Sequence, residues 1–349
     1  MKVLGIESSC DECAAAVVVD GQEVLSNVVA TQIPVHAAYN GVVPELASRM
    51  HTEWIGGVVG KALNDAGLES GDIDGVAATA QPGLLGSLLV GLNFAKAFAW
   101  ARDLPFIAVD HMLAHLYASR LAAPGWTEEP AAYPFLGLLV SGGHSIICRA
   151  DDFDNITVLG TTIDDAVGEA FDKVSKHYGF GYPGGAAIDK LAKTGDSEAF
   201  RFPMPNLYKR NGFLEHRCDL SYSGLKTAVI NQLEQFRVKP ASGENEAADI
   251  AASFQKTAVE ILLRGLFRAI EDTGLDTVVA GGGAAANSCL RSRLAERKDI
   301  RCIFPPPEFC GDNGAMIAGL GYQYLVRGDR SPLTATASAR VKGFKKRYP

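Results

Sequence analysis

The 349-residue sequence contains no uninterrupted apolar run long enough to cross a bilayer. Its nearest candidate, LLGSLLVGLNFAKAFAW at 84–100, is short and is broken by Asn93 and Lys96, so it reads as a buried helix. The opening MKVLGIESS reaches Glu7 after too few apolar residues for an export signal, and a cytoplasmic protein with no membrane contact is expected. An excess of basic residues is also missing. With 33 Lys and Arg against 40 Asp and Glu the formal net charge is −7, which argues against a protein that coats nucleic acid unaided. Nor is there a disulfide framework: seven cysteines, an odd count without framework spacing, fit a reducing compartment. Cys10 and Cys13 form a C-x-x-C, but in a strand and turn rather than at a helix N-terminus where a thiolate is stabilised, so redox chemistry is not expected.

Two familiar motifs are absent in an informative way. In IAVDHMLAHLYA (107–118), His111 and His115 stand four positions apart, which on a helix sets both imidazoles on one face as a grip for zinc or iron. The zinc-peptidase pattern H-E-x-x-H needs a glutamate after the first histidine to take the proton of metal-bound water; Met112 occupies that place and argues against a protease. AGGGAAANSCLR (280–291) joins a strand to a helix through glycines that let a nucleotide approach the backbone, yet its spacing is not the G-x-G-x-x-G dinucleotide fingerprint.

Two imidazoles leave a metal ion incomplete. Asp312, in CGDNGAMIAGLGY (310–322) at the start of a small-residue helix, is the candidate third ligand, and Cys310 is a weaker one. Each motif has a plainer reading beside it. One histidine is then core and the other solvated, Asp312 and Asn287 are ordinary helix caps, and the small-residue turns GIESSCDE (5–12) and LLVSGGHS (138–145) are hairpins without a ligand. In the sharper reading, those turns leave backbone N–H groups open to a phosphate or carboxylate.

Apolar residues make up 47% and charged ones 21%, enough for two domains of ordinary size. Short apolar strands alternate with longer helical patterns, an α/β signature. Strands are expected at 2–8, 14–20, 23–30, 75–80 and 105–110, with helices at 44–66 and 84–100 and on the histidine segment. After the proline-rich linker 123–134 the pattern restarts with strands at 135–143, 144–151 and 156–162. Helices at 164–178 and 247–274 flank an irregular middle, and a final strand at 277–283 runs into a helix at 285–297. The similar openings suggest internal duplication, with domains at 1–122 and 135–325 and a basic tail at 326–349. The basic clusters RSRLAERK (291–298) and RVKGFKKR (340–347) read either as contact patches or as solvated surface.

GIESSCDE, PELASRMHTE, QPGLLGSLLVG, DHMLAH, LLVSGGHS, GEAFDK, YPGG, SYSGLKTA, AGGGAAANS and GDNGAMIAG, in this order and over almost the whole chain, resemble the TsaD family of tRNA threonylcarbamoyladenosine biosynthesis proteins, once named O-sialoglycoprotein endopeptidases. The resemblance implies an α/β fold of two duplicated ribonuclease-H-like domains, of the actin-like, sugar-kinase-like ATPase superfamily, that clasp a nucleotide between them. It implies an acyltransferase that moves a threonylcarbamoyl group from threonylcarbamoyl-AMP to N6 of the adenosine 3′ of the anticodon, in tRNAs reading codons that start with A. One divalent ion, Fe2+ or Zn2+, is expected on His111, His115 and Asp312. The donor is expected on Leu139, Val140, Ser141, Gly142 and Gly143, with its adenylate on Asp172, Gly185, Asp189 and Asn287. Glu12 is only a hypothesis for the proton acceptor. The partners implied are tRNA, a separate synthase that makes the donor, a degenerate TsaB-like paralogue and a small TsaE-like P-loop ATPase.

The chain departs from the family pattern at Cys13, Gln81, Ala186 and Gly311. None is a proposed ligand, but Gly311 withholds a hydroxyl that would orient Asp312. The leading rival is an ATPase or kinase of the same superfamily. Against it, the first turn offers Glu7-Ser8-Ser9 where such kinases place an aspartate for magnesium, and a histidine pair suits a hard ion poorly.

Overall fold

A computed structural model describes residues 1–39, 41–123, 126, 129–207, 217–240, 243–340 and 345–346. Most of the basic cluster 340–347 therefore lies outside the described residues. The chain divides into two compact units, Met1–Ala131 with Phe304–Phe344, and Ala132–Ile303 with Lys345–Pro349.

The first unit opens with β1 (Lys2–Glu7), β2 (Glu12–Val19) and β3 (Glu23–Thr31), followed by α1 (Ile33–Ala37), α2 (Pro44–Asp65), β4 (Gly75–Gln81), α3 (Leu85–Ala101), β5 (Phe106–Asp110) and α4 (His111–Tyr117). Its sheet runs β3-β2-β1-β4-β5. The first three strands are antiparallel, and β4 and β5 continue parallel to β1. Because β1, β2 and β4 are covered on both faces, they read as continuous apolar runs rather than alternating ones. Leu4, Ile6, Val17 and Val76 pack in one cluster with Ile55 and Val59 of α2 and Leu92 and Ala95 of α3. The segment expected to be a buried helix is α3, but burial is one-sided. Leu88, Leu92, Ala95 and Ala99 face the core while Leu85, Leu89 and Trp100 are exposed, because a helix laid on a sheet buries only one stripe.

The second unit holds β6 (Phe135–Val140), β7 (Ser145–Ala150), β8 (Ile156–Thr161), α5 (Val167–Tyr178), α6 (Gly184–Ala192), α7 (Ser223–Asn231), α8 (Glu246–Thr273), β9 (Thr277–Gly281), α9 (Ser288–Ala295) and β10 (Arg301–Ile303). Its sheet reads β10-β9-β6-β7-β8, with the two-residue β11 (Lys345–Lys346) beside β8. The first three strands are antiparallel and the next two run parallel to the first, the plan of the other sheet. Even the irregularity between second and third strand recurs, at Val17/Val18 and at Ile147/Cys148. The internal duplication expected from the similar openings is thus present, in the ribonuclease-H-like plan that the family resemblance implies.

Three expectations need correction. The irregular middle contains α6 and α7, both short and glycine-flanked, so their periodicity is brief. TVVAGGG does not contain the last strand of the sheet, since β10 follows it. The division at 1–122, 135–325 and 326–349 also differs from the structure. The last helix, α10 (Gly314–Arg327), belongs with the first unit, where it packs on β1, β2 and β4. Close approach explains this: a Cβ on Gly5 would stand 2.3 Å from Gly314 O, so β1 and α10 meet backbone to backbone. The basic cluster at 291–298 is largely paired: Arg293 meets Glu260, and Arg297 meets Asp299 while lying over the Phe267 ring. Among the described residues no helix is long and apolar enough to cross a membrane.

Candidate metal centre and glycine turns

β5 ends at Asp110, whose side chain accepts from the N–H groups of Met112 and Leu113 and so starts α4 immediately after the strand. Gln81, one of the departures from the family pattern, donates to the other oxygen of Asp110 at 3.1 Å. This tight cap sets His111 and His115 one turn apart on a short buried helix, with ring centroids 4.5 Å apart. At the far end of the chain, Asn313 rather than Asp312 caps α10, accepting from Met316 N at 2.9 Å. The cap reading of Asp312 is thereby excluded.

The three expected ligands meet inside the first unit. His115 Nε2 lies 3.1 Å from His111 Nε2 and 3.1 Å from Asp312 Oδ1, and His111 Nε2 lies 3.5 Å from Asp312 Oδ1. Ligand atoms about 2.0–2.1 Å from one tetrahedral ion stand about 3.3 Å apart, so this cluster is sized for a metal. It is also the one group of three or more His, Cys, Asp or Glu side chains with such convergence among the described residues. Two imidazoles and one carboxylate suit zinc or ferrous iron and leave coordination positions for a substrate oxygen.

The electrostatics agree. Burial alone would depress the His111 imidazole, but the Glu7 and Asp312 carboxylates outweigh it and raise its pKa to about 9 in the metal-free chain. Burial acts upward on Asp312, yet His111, His115 and a hydrogen bond from Ser9 hold its carboxyl well below the usual range. Ser9 thus supplies the hydroxyl that Gly311 cannot. Cys10 and Cys13 carry thiols pushed upward by burial, Cys13 to about 12, which leaves no thiolate for redox work. Glu12, at the start of β2, is raised to about 9 by burial and by the neighbouring Asp312 and Asp11, while Thr31 donates to it at 3.2 Å.

The remaining expected residues lie in the second unit. Leu139 and Val140 are fully buried in β6, Leu139 paired with Ile146 and Gly281 of the two neighbouring strands and Val140 with Ser145. Ser141 closes the following turn by donating its N–H to His144 O at 2.8 Å and accepting at its hydroxyl oxygen from His144 N–H at 3.1 Å. Gly142 and Gly143 are exposed, with open space where a Cβ would stand. Beside this turn, Gly282 has φ +91° and would place a Cβ 2.4 Å from Val140 O, so glycine is required there. Asp172 accepts from Gly184 N at the start of α6, next to Gly185. Asp189 of α6 accepts from the N–H and hydroxyl of Ser288, which brings it to the start of α9. Asn287 caps α9 through Leu290 N and donates to Gln255 at 3.1 Å, so the plain cap reading holds for it. Gln255, buried on α8, and Glu7, whose carboxylate touches His111, were not singled out from sequence as parts of a site.

Comparison with known proteins matches this geometry to a family. The family model TsaD, described as tRNA N6-adenosine threonylcarbamoyltransferase, matches residues 23–319. A protein of that description from Treponema denticola is 65% identical over 99% of both chains. One from Borrelia hermsii is 48% identical over 99% of this chain and 98% of its own. Component A of the (R)-2-hydroxyglutaryl-CoA dehydratase of Acidaminococcus fermentans shares the fold at 15% identity and a TM-score of 0.54, over 93% of this chain and 99% of that one. The two units have the actin-like, sugar-kinase-like fold, and the chain belongs to the TsaD family of tRNA N6-adenosine threonylcarbamoyltransferases.

Proposed function

We propose that this chain is an acyltransferase that moves the threonylcarbamoyl group of threonylcarbamoyl-AMP to N6 of the adenosine 3′ of the anticodon, in tRNAs reading codons that start with A. The observation that carries this reading is 65% identity over 99% of both chains to a protein of that activity. The N6–carbonyl bond forms, the bond from that carbonyl to the phosphate oxygen breaks, AMP leaves with the electron pair, and the amine proton passes to a base.

His111, His115 and Asp312 would hold one divalent ion, Fe2+ or Zn2+, which supplies Lewis-acid binding and polarisation of the donor. Gly142 and Gly143, exposed and with open space where a Cβ would stand, are suited to let phosphate or carbonyl oxygens approach the turn backbone. Asp172, Gly185, Asp189 and Asn287 are proposed to receive the adenylate, Asn287 with its amide already oriented by Gln255. Glu12 would act as proton acceptor only as a carboxylate, and its pKa is raised to about 9 by burial first and then by Asp312 and Asp11, so a cation on Asp312 would remove one of these causes.

The target base sits in a single-stranded loop, where splaying it out breaks no duplex. Because a chain of net charge −7 meets a polyanion, we place it with a TsaB-like paralogue and a TsaE-like P-loop ATPase, in the cytoplasm where tRNA and a donor-making synthase are at hand. The superfamily's kinase activity is not favoured, since Glu7, in the turn where such kinases place an aspartate for magnesium, is fully buried against His111.

The test supplies isotope-labelled threonylcarbamoyl-AMP and unmodified tRNA and reads the nucleosides by mass spectrometry. Labelled threonylcarbamoyladenosine supports the reading. ATP hydrolysis by the chain with no labelled nucleoside would move the kinase class to the front.

A further inference from the structure

We propose that Glu7 is a positioning residue for the metal centre, its carboxylate holding His111 by Nδ1 so that Nε2 points toward Asp312 and His115. The inference rests on the metal reading above and adds a residue which that reading lacks. Glu7 closes β1 with no solvent exposure. Its Oε1 accepts from Ser9 N at 2.5 Å, and its Oε2 accepts from the Thr79 hydroxyl at 2.5 Å and meets His111 Nδ1 at 3.0 Å. An ionised carboxylate only accepts, so the hydrogen between Glu7 and His111 belongs to Nδ1. Nε2, left to a metal once its own proton is displaced, then faces the point where His115 Nε2 and Asp312 Oδ1 converge. A carboxylate behind a ligating imidazole fixes the tautomer and the ring plane and raises ligand basicity.

Two observations separate this role from ordinary support of the fold. The second unit repeats the topology of the first, and there the last residue of the first strand is Val140, fully buried and apolar. Glu7 pairs with Ala14 across its hairpin as Val140 pairs with Ser145, so the same architectural place is filled by a side chain that needs no partner. A carboxylate costs far more to bury than a valine, and at this position it faces a candidate ligand. The other imidazole has no such hold, since His115 Nδ1 lacks a hydrogen-bond partner among the described residues. Orientation of the pair therefore falls on the Glu7 side.

Cobalt(II) titrated into chelator-treated full-length protein reads affinity and coordination together through its visible d–d bands. Wild type, Glu7→Gln, Glu7→Val and His111→Ala are compared, with thermal midpoints of the metal-free proteins recorded. The expected result is that Glu7→Gln weakens cobalt binding by about 10- to 100-fold and alters the bands, while its midpoint stays near wild type. Thr79→Val, which removes one donor from the carboxylate and leaves the imidazole alone, is expected to give a smaller change of the same kind. It carries the test if the Glu7 variants do not fold. Unchanged affinity, or lost affinity with unchanged bands, overturns the positioning role and leaves the metal reading intact. Failure of wild type to bind cobalt, or equal binding by His111→Ala, overturns the metal reading and this inference with it.

Discussion

Asp312 and Asn313 are adjacent in the chain and do different work: Asn313 Oδ1 accepts from Met316 N at 2.9 Å and starts α10, while Asp312 Oδ1 lies 3.1 Å from His115 Nε2. The cap frees the neighbouring carboxylate for the centre. Asp312→Asn should weaken cobalt binding at least about tenfold and lower the thermal midpoint of the metal-free protein, since a buried charged partner of both histidines is replaced by a neutral amide. Asn313→Ala should cost about 1 kcal/mol of stability in urea unfolding, with a smaller loss of metal affinity.

Asp312 is aimed by the seating of α10 on the sheet. A Cβ on Gly5 would meet Gly314 O at 2.3 Å and Ala318 N at 2.4 Å, both backbone atoms that cannot step aside. Gly5→Ala should therefore destabilise the protein by about 1–3 kcal/mol and also weaken metal binding, although residue 5 touches no ligand. Paired unfolding and cobalt titrations check both.

At the glycine turn, stability and binding should separate. Gly143 has open space for a Cβ and no positive φ, so Gly143→Ala should leave unfolding unchanged within about 0.5 kcal/mol. If its amide receives the donor, KM for threonylcarbamoyl-AMP should rise several-fold, measured by steady-state transfer.

The raised pKa values of His111 and Glu12 predict an alkaline loss of stability in the metal-free protein. Each group binds its proton more tightly folded than unfolded, so its contribution is complete below the unfolded value and disappears as pH rises through about 9. For His111 the window opens near 6.5 and for Glu12 near 4.5. The lowered pKa values of Glu7 and Asp312 act oppositely, and their stabilisation is lost on acidification below the ordinary carboxylate range. Thermal midpoints of chelator-treated protein should thus fall between pH 6.5 and 9. Metal-loaded protein should show a flatter profile, because the ion replaces the His111 proton.

Much of this was legible in the sequence for identifiable reasons. The H-x-x-x-H spacing is a local signal, and in the structure it sets His111 and His115 one turn apart on α4. Continuous apolar strands and the long helix expected at 44–66 are readable from the local sequence. What local pattern does not record is which sheet a distant segment joins. The seating of α10 depends on Gly5, more than 300 positions away, and so its residues were assigned to the wrong unit. The partnership of Glu7 with His111 spans 104 positions and leaves no motif. β10, at three residues, is too short for an alternation to show.

The most direct test compares wild type with His111→Ala in an extract stripped of the native protein, supplied with labelled threonylcarbamoyl-AMP and unmodified tRNA. Modified adenosine with wild type, falling at least about tenfold with the variant, is the predicted result, because transfer and the metal centre then stand or fall together. Equal, background-level product from both proteins in a competent extract would contradict it and assign the transfer to another chain.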